Sequence, residues 1–169
     1  KSIMKKQTDD LVKRAKRHES EAFTELMQLY MTDMYKVAYA ILMNDEDAAD
    51  AIGDTILICW EKMNQLVKIR YFKTWMTRII INKCYDILRK KSKVIPFESE
   101  FVENVEEKSN FSEKVEMQMI LDKLDKDFKE IVILYYYNNF KQDEIARILD
   151  IPKGTVKSRL HRAKSEILR

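Results

Sequence analysis

Two glycines and two prolines in 169 residues leave little material for tight β-turns. Turns between strands draw on glycine for positive φ and on proline for its fixed φ. So small a supply predicts an all-α chain. Hydrophobic residues make up 46% and charged residues 35%, which is enough apolar material for a packed core and excludes a disordered polar chain. No run approaches the roughly 18 apolar residues of a membrane span, so no insertion into a membrane is expected. The N-terminus lacks a basic-then-apolar signal pattern, and its start at Lys1 rather than Met reads as trimmed. Cys59 and Cys84 lie in apolar helical patterns without ligand spacing, so both are expected to be buried thiols in a reducing compartment.

The net charge of +3 hides a strong internal pattern. Residues 44–61 hold six acids and no Lys or Arg. Residues 68–93 hold nine bases and one acid, and 95–116 hold seven Glu and two Lys. Residues 151–169 hold six bases and one acid. A single charge run is usually a solvated face. Two separated basic blocks point to two contacts with a polyanion, and the first acidic block points to a basic protein partner.

Periodicity places these blocks on helices. Residues 9–92 read as helical almost throughout. Ser20 is a candidate cap, followed by the stripe Phe23, Leu26, Met27 and Tyr30. Val37, Ala38, Ile41 and Leu42 continue as a second segment. Asn44 before Asp45, Glu46 and Asp47 is a helix start, because acids favour the positive end of the helix dipole. Ala48, Ile52, Cys59 and Met63 then face inward. Gly53 inside that helix costs roughly 1 kcal/mol relative to Ala, so close packing or function is expected there. Residues 64–72 read as a loop, and a last helix runs from about Lys73 to Lys91. On it Met76, Ile80, Cys84 and Ile87 form one face, and Arg78, Asn82, Tyr85 and Arg89 the opposite one. Tyr71, Phe72 and Trp75 lie close by. Cations, an amide and aromatic rings together suit unpaired bases and their backbone, although Phe72 and Trp75 equally suit a core.

Residues 93–111 carry Pro96, scattered Glu, and no sustained period, and read as an acidic linker. Its Phe97, Phe101 and Phe111 exceed what a spacer needs and suggest docking. The segment 141–168, KQDEIARILDIPKGTVKSRLHRAKSEIL, reads as a helix-turn-helix. Its first helix is about Gln142 to Leu149, with Ile145 and Leu149 buried and Ala146 at a close helix approach. The turn is Asp150-Ile151-Pro152, with positive φ expected at Asp150. The second helix begins near Lys153 with the apolar stripe Val156, Leu160, Ala163 and Ile167. Ser158, His161, Arg162, Ser165 and Arg169 lie opposite, flanked by Lys157 and Arg159. Such a helix fits the major groove, with Arg162 suited to guanine edges and Lys157 and Arg159 to phosphates.

Both halves resemble the extracytoplasmic-function (group 4) sigma factors of bacterial RNA polymerase. The resemblance rests on NDEDAADAIGDTILICW and FKTWMTRIIINKCYDILRK in the first half and on DEIARILDIPKGTVKSRLHRAKSEIL in the second. It implies two small helical domains. Residues 1–92 would be a sigma region 2 bundle, 93–111 an extended linker near the active-site and RNA-exit channels, and 112–169 a region 4 domain. Asp45, Glu46, Asp47, Asp50 and Asp54 would bind the clamp helices of the polymerase β′ subunit. Tyr71, Phe72, Trp75, Arg78, Asn82, Tyr85 and Arg89 would capture the melted minus-10 element. Lys153, Thr155, Lys157, Ser158, Arg159, His161 and Arg162 would bind the minus-35 element, and the second domain would touch the β flap. Many members carry Gln at the position of Gly53, so the resemblance does not imply a polar polymerase contact at that one position, while the rest of the interface is still expected. An anti-sigma factor, membrane-bound in many such systems, is an implied partner, and the factor itself would act in the cytoplasm.

Two other classes explain less. A conventional helix-turn-helix regulator accounts for 141–169 but leaves the acidic helix and the Asn82 face unused, and no dimerisation segment is evident. An enzyme acting on nucleic acid would need paired carboxylates, a Cys/His set or a Gly-rich phosphate loop, and none is present. The acids at 45–54 imitate a metal cluster, but helix capping and a protein interface explain them more simply. No cofactor or metal is expected.

Overall fold

A computed structural model describes residues 2–93 and 111–168. Those residues form eight α-helices and no strand. The first four are α1 (Ser2–Lys16), α2 (Ser20–Leu42), α3 (Asp45–Lys62) and α4 (Phe72–Lys93). After residues 94–110, which carry Pro96, Phe97 and Phe101 and lie outside the described part, come α5 (Phe111–Asp122) and α6 (Lys126–Val132). A wide helical turn at Ile133–Tyr137 follows, then α7 (Gln142–Leu149) and α8 (Lys153–Ile167). No described helix is long and apolar enough to cross a membrane.

Local chemistry explains most boundaries. The chain leaves α1 through His18 at φ 60°, whose ring meets Trp60 edge-on at 4.7 Å. Ser20 is not the cap it resembles. Glu19 holds the cap position, and the Ser20 carbonyl instead accepts from Thr24 Oγ1 at 2.9 Å. The two segments expected over 20–42 are one continuous helix, because no breaker interrupts the buried series from Ala22 to Leu42. It ends on Met43 in the left-handed region at φ 52°. Asn44 caps α3 as its sequence requires, its Oδ1 accepting from the Asp47 N–H at 2.9 Å. The segment 64–72 is more ordered than a plain loop. It contains two short 3₁₀ turns, Met63–Gln65 and Ile69–Tyr71, and Phe72 already belongs to α4.

The N-terminal bundle centres on Leu26, Met34, Met63, Phe72, Met76 and Ile80, all essentially excluded from solvent. Burying a side chain of this size contributes roughly 1.5–3 kcal/mol, so these positions dominate the stability of the bundle. The expected inward residues Ala48, Ile52, Cys59 and Met63 are buried. Cys59 and Cys84 are free, and burial pushes each thiol up to about 12, which keeps both protonated and unreactive.

The two halves are not held apart. α7 packs on α4, and the wide turn at Ile133–Tyr137 packs on α2. One apolar core runs from Leu11 and Phe72 through Ile131, Phe140 and Ile145 to Leu160. A smaller cluster joins Ala40 of α2 to Leu121, Val132 and Ala163. Asn138, 4% exposed, seals the junction by donating from Nδ2 to the Asp33 carbonyl at 3.1 Å. Apolar area that each half would otherwise show to water drives this closure.

Close packing does not account for Gly53. It is exposed, and a Cβ there would meet nothing within 4 Å. Gly53→Ala should therefore stabilise the protein by about 1 kcal/mol, the helix-propensity difference. Urea denaturation followed by circular dichroism checks this, and an unchanged or lower midpoint would contradict it.

Candidate nucleic-acid interface

The helix-turn-helix is assembled by backbone chemistry at both ends of α7. The Lys141 N–H donates to Glu144 Oε1 at 3.0 Å, which satisfies one orphan donor of the first turn. Asp150 ends α7 at φ 56° and ψ 51°, the left-handed conformation that its short polar side chain tolerates. Its N–H bonds the Ala146 carbonyl, as does that of Ile151 at 3.0 Å. Pro152 then starts α8 without an N–H to leave unpaired. One core assignment changes: Ile148 is 3% exposed, and Leu149 is only half-buried. The reason is that α7 lies between α8 and α4, so its Ile145–Ile148 edge faces the shared core.

Val156, Leu160 and Ala163 fix α8 from beneath, with Ile167 half-buried at its end. Lys157, Ser158, His161 and Arg162 are exposed together on the outer face. Arg162 lies 5.5 Å from the Phe128 ring centroid, a contact that limits its wandering. Ser158 Oγ donates to the Thr155 carbonyl at 3.1 Å, so its acceptor capacity remains outward. Lys153 is exposed but reaches back to Asp143 at 2.7 Å, and this hydrogen bond holds the Asp143 carboxyl below its usual range. Thr155 is half-buried. Arg159 is turned toward α6, 3.9 Å from Asp127, and sits at the margin of the face. Arg169 lies outside the described residues.

On α4 most of the two predicted faces separate, but Ile87 and Tyr85, expected on opposite faces, are both half-buried. Met76, Ile80 and Cys84 are buried, and Arg78, Asn82 and Arg89 are exposed. Phe72 belongs to the core at 2% exposure, its ring tilted against those of Tyr30 and Trp75 at 5.6 and 6.0 Å, so it offers no outer surface. Trp75 and Tyr71 are half-buried and line a cleft of about 430 Å³ with Leu66, Val67, Lys68, Thr74 and Arg78. Val67, 87% exposed, stands at its rim between Leu66 and Lys68.

The C-terminal half reaches into this same face. Arg147 of α7 lies 4.1 Å over the Tyr71 ring, and its hydrogen bonding and charge lower the phenol pKa. Arg78 faces Asp150 at 3.9 Å. The Tyr85 hydroxyl donates to Glu130, and Lys126 sits 4.1 Å over its ring. Burial first and Glu130 second push the Tyr85 phenol up, while desolvation raises Glu130. Arg89 pairs with Asp86. Sequence reasoning had no signal for Arg147, Glu130 or Asp150 at this face, because each meets α4 only through tertiary packing.

The acidic helix α3 presents a third surface. Glu46, Asp50, Gly53, Asp54, Leu57 and Glu61 recur at helical spacing and are all exposed. Asp45 accepts from Tyr35 Oη at 2.6 Å, and Asp47 is half-buried against Lys91. Leu57, 61% exposed in the middle of this stripe, was not singled out in the sequence, although its spacing from Asp50 and Asp54 places it there.

Comparison with known proteins matches these surfaces to one family. The family model for sigma-70 region 2 matches residues 26–94, and that for sigma-70 region 4 matches 114–167. The RNA polymerase sigma factor SigV of Bacillus subtilis is 29% identical over 132 residues, covering 78% of this chain and 80% of its own. The extracytoplasmic-function sigma factor SigW of the same organism is 26% identical over 173 residues, covering 92% of each. In fold, the chain resembles CnrH, solved in complex with the cytosolic domain of CnrY, at a TM-score of 0.78 and 22% identity, covering 95% of this chain and 94% of that one. It also resembles RpoE of Bartonella quintana, solved with the anti-sigma factor NepR, at a TM-score of 0.68 and 22% identity, covering 86% and 93%. The region 2 match spans the α3 and α4 surfaces and the region 4 match spans the helix-turn-helix. The chain belongs to the sigma-70 family and is an alternative RNA polymerase sigma factor of the extracytoplasmic-function group, a DNA-binding initiation factor rather than an enzyme.

Proposed function

We propose that three surfaces divide the work of promoter recognition. The single observation that carries this division is that α3, α4 and α8 each expose a chemically distinct face at the spacing of one helical stripe. Residues 1–92 act as the clamp and minus-10 module, 93–111 as the linker, and 112–169 as the minus-35 module. On α8, Lys157, Ser158, His161 and Arg162 read the duplex in the major groove, while Lys153, Thr155 and Arg159 support its edges. The cleft at Tyr71, Trp75 and Arg78 receives an unpaired base, and Asn82, Tyr85 and Arg89 follow the strand along α4. Phe72 serves this cleft from below as packing. Strand capture requires α6 and α7 to withdraw, because Arg147, Asp150 and Glu130 occupy part of the same face. The exposed Arg78–Asp150 pair opposes that opening by no more than about 1 kcal/mol.

Asp45, Glu46, Asp47, Asp50 and Asp54 meet the basic clamp helices of the β′ subunit. Leu57 supplies an apolar contact in the middle of that stripe, and the missing side chain at Gly53 leaves a notch beside it. The region 4 module touches the β flap. The factor acts in the cytoplasm and is held by an anti-sigma partner, membrane-bound in the arrangement expected for this group. Support for such a partner comes from the solved neighbours above, each bound to another protein. A second class of reading, a regulator that never joins polymerase, leaves the α3 face without a use.

Run-off transcription with core polymerase on the organism's own DNA should yield promoter-specific transcripts, and their absence would sink the proposal. Arg162→Ala should cost about 1–3 kcal/mol on the cognate minus-35 duplex and relax preference at one base pair, measured by a competition binding series. Asn82→Ala should leave duplex binding near wild type but reduce permanganate reactivity of the melted region; an unaltered bubble would remove Asn82 from strand capture. Replacing Asp50 and Asp54 by Lys should abolish co-elution with core polymerase while leaving the circular dichroism spectrum intact, since both side chains are exposed.

A further inference from the structure

The family model for region 2 begins at residue 26, so it assigns nothing to α1. That helix is strongly basic, with Lys5, Lys6, Lys13, Arg14 and Lys16 against Asp9 and Asp10. Part of this charge is neutralised locally. Arg14 pairs with Asp10 at 3.8 Å and with Glu19 at 3.0 Å, and Arg17 lies 3.8 Å from Glu19. Lys5, Lys13 and Lys16 have no ion pair among the described residues, and Lys5 and Lys13 are exposed. Uncompensated like charges on one short helix repel each other, so an anion that bridges them would be favoured.

The orientation of α1 decides where that charge points. Leu11, Val12 and Ala15 face the core. One edge, with Gln7, Asp10 and Arg14, lines a groove against Glu25, Gln28 and Leu29 of α2. The opposite edge carries Lys5, Asp9 and Lys16 at spacings of four and seven, with Lys13 one step outward. α1 also packs against both 3₁₀ turns of the 63–71 segment. Asp9 belongs to that side: after burial and Asp33, its charge also raises the phenol of Tyr30, whose ring lies tilted against Phe72 directly after the second turn. This edge therefore adjoins the segment that carries Lys68 and Arg70 and forms one wall of the Trp75 cleft. Lys5, Lys13 and Lys16 lie on the helix that packs against the turn carrying Arg70, with Lys68 just before that turn and Asp9 the acid on the same edge of α1. Lys68 and Arg70 sit 5.9 and 4.9 Å from the Tyr71 ring centroid, which sets both cations at the cleft wall.

We propose that the Lys5–Lys13–Lys16 edge of α1 is a phosphate-binding surface that holds the backbone of single-stranded promoter DNA where it leaves the Trp75 cleft. The inference rests on the assignment of that cleft to an unpaired base. Phosphates carry the affinity and require only spaced cations, whereas the cleft supplies the base contact. A strand leaving the cleft past Val67 meets Lys68 and Arg70 first and α1 next.

The test uses the full chain assembled with core polymerase and a premelted promoter fragment taken from the transcripts mapped above. The triple variant K5Q/K13Q/K16Q is compared with wild type by fluorescence anisotropy across a salt series, with Asn82→Ala in parallel. Three lost contacts to a single strand should lower the slope of log affinity against log salt by about 2. Affinity at low salt should fall, and assembly with core polymerase without DNA should be unchanged. Wild-type affinity and slope in the triple variant would overturn the proposal. Lost assembly without DNA would overturn it as well and assign the edge to the polymerase instead. If Asn82→Ala binds the fragment like wild type while the triple variant shows its reduced slope, the α4 strand assignment fails and the α1 contact stands on its own.

Discussion

The structure depends on α4 being packed from more than one side. Met76, Ile80 and Cys84 anchor it in the N-terminal bundle, and α7 comes up against it from the C-terminal half. A helix confined in this way has little rotational freedom, so its exposed positions are fixed in direction. Arg78 and Asn82 consequently share an outward face, and Trp75 is held at the cleft wall by its tilted ring contact with Phe72. The cleft is thus a by-product of core packing: Phe72 fills the space beneath, and the 3₁₀ turns bring Leu66, Val67 and Tyr71 to the rim.

The same confinement makes the closed arrangement of the two halves consequential. Apolar packing brings the C-terminal half onto α4, and that half carries Arg147, Asp150 and Glu130 to side chains suited to a DNA strand. The part-buried Tyr85–Glu130 hydrogen bond is a polar element of this contact, and burial disfavours the ionised forms of both partners. The exposed Arg78–Asp150 pair adds little in solvent. The closure is held mainly by the shared apolar core.

Legibility from sequence followed the range of the interaction. Asn44 with three following acids specified its own cap, and the Val156, Leu160 and Ala163 stripe specified which side of α8 faces out. Both signals lie within a turn or two of the chain. Ser20 misled because capping depends on where the preceding turn places the backbone, and His18 in the left-handed conformation moves that position to Glu19. Leu149 misled because α7 is contacted from two sides, which rotates its inner edge to Ile148. Phe72 was ambiguous in sequence, since an aromatic residue before a basic helix suits a core and a base-stacking surface equally. Only its neighbours Tyr30 and Trp75 settle it.

The sequence by itself determined the all-α class, the helix-turn-helix, the alternation of acidic and basic helices and the sigma-factor family. The first three follow from composition, from a period of 3.6 residues or from a local motif, and the family from the resemblance of both halves to its motifs. Tertiary structure decided which aromatic residues are available, that Gly53 is exposed rather than packed, and that the two halves share one core. It also set the lysine edge of α1 beside the Lys68–Arg70 segment, more than fifty residues away in the chain. The physical reason is that caps and stripes are written by neighbours in sequence, whereas access, charge continuity and closure depend on which apolar faces exclude water together.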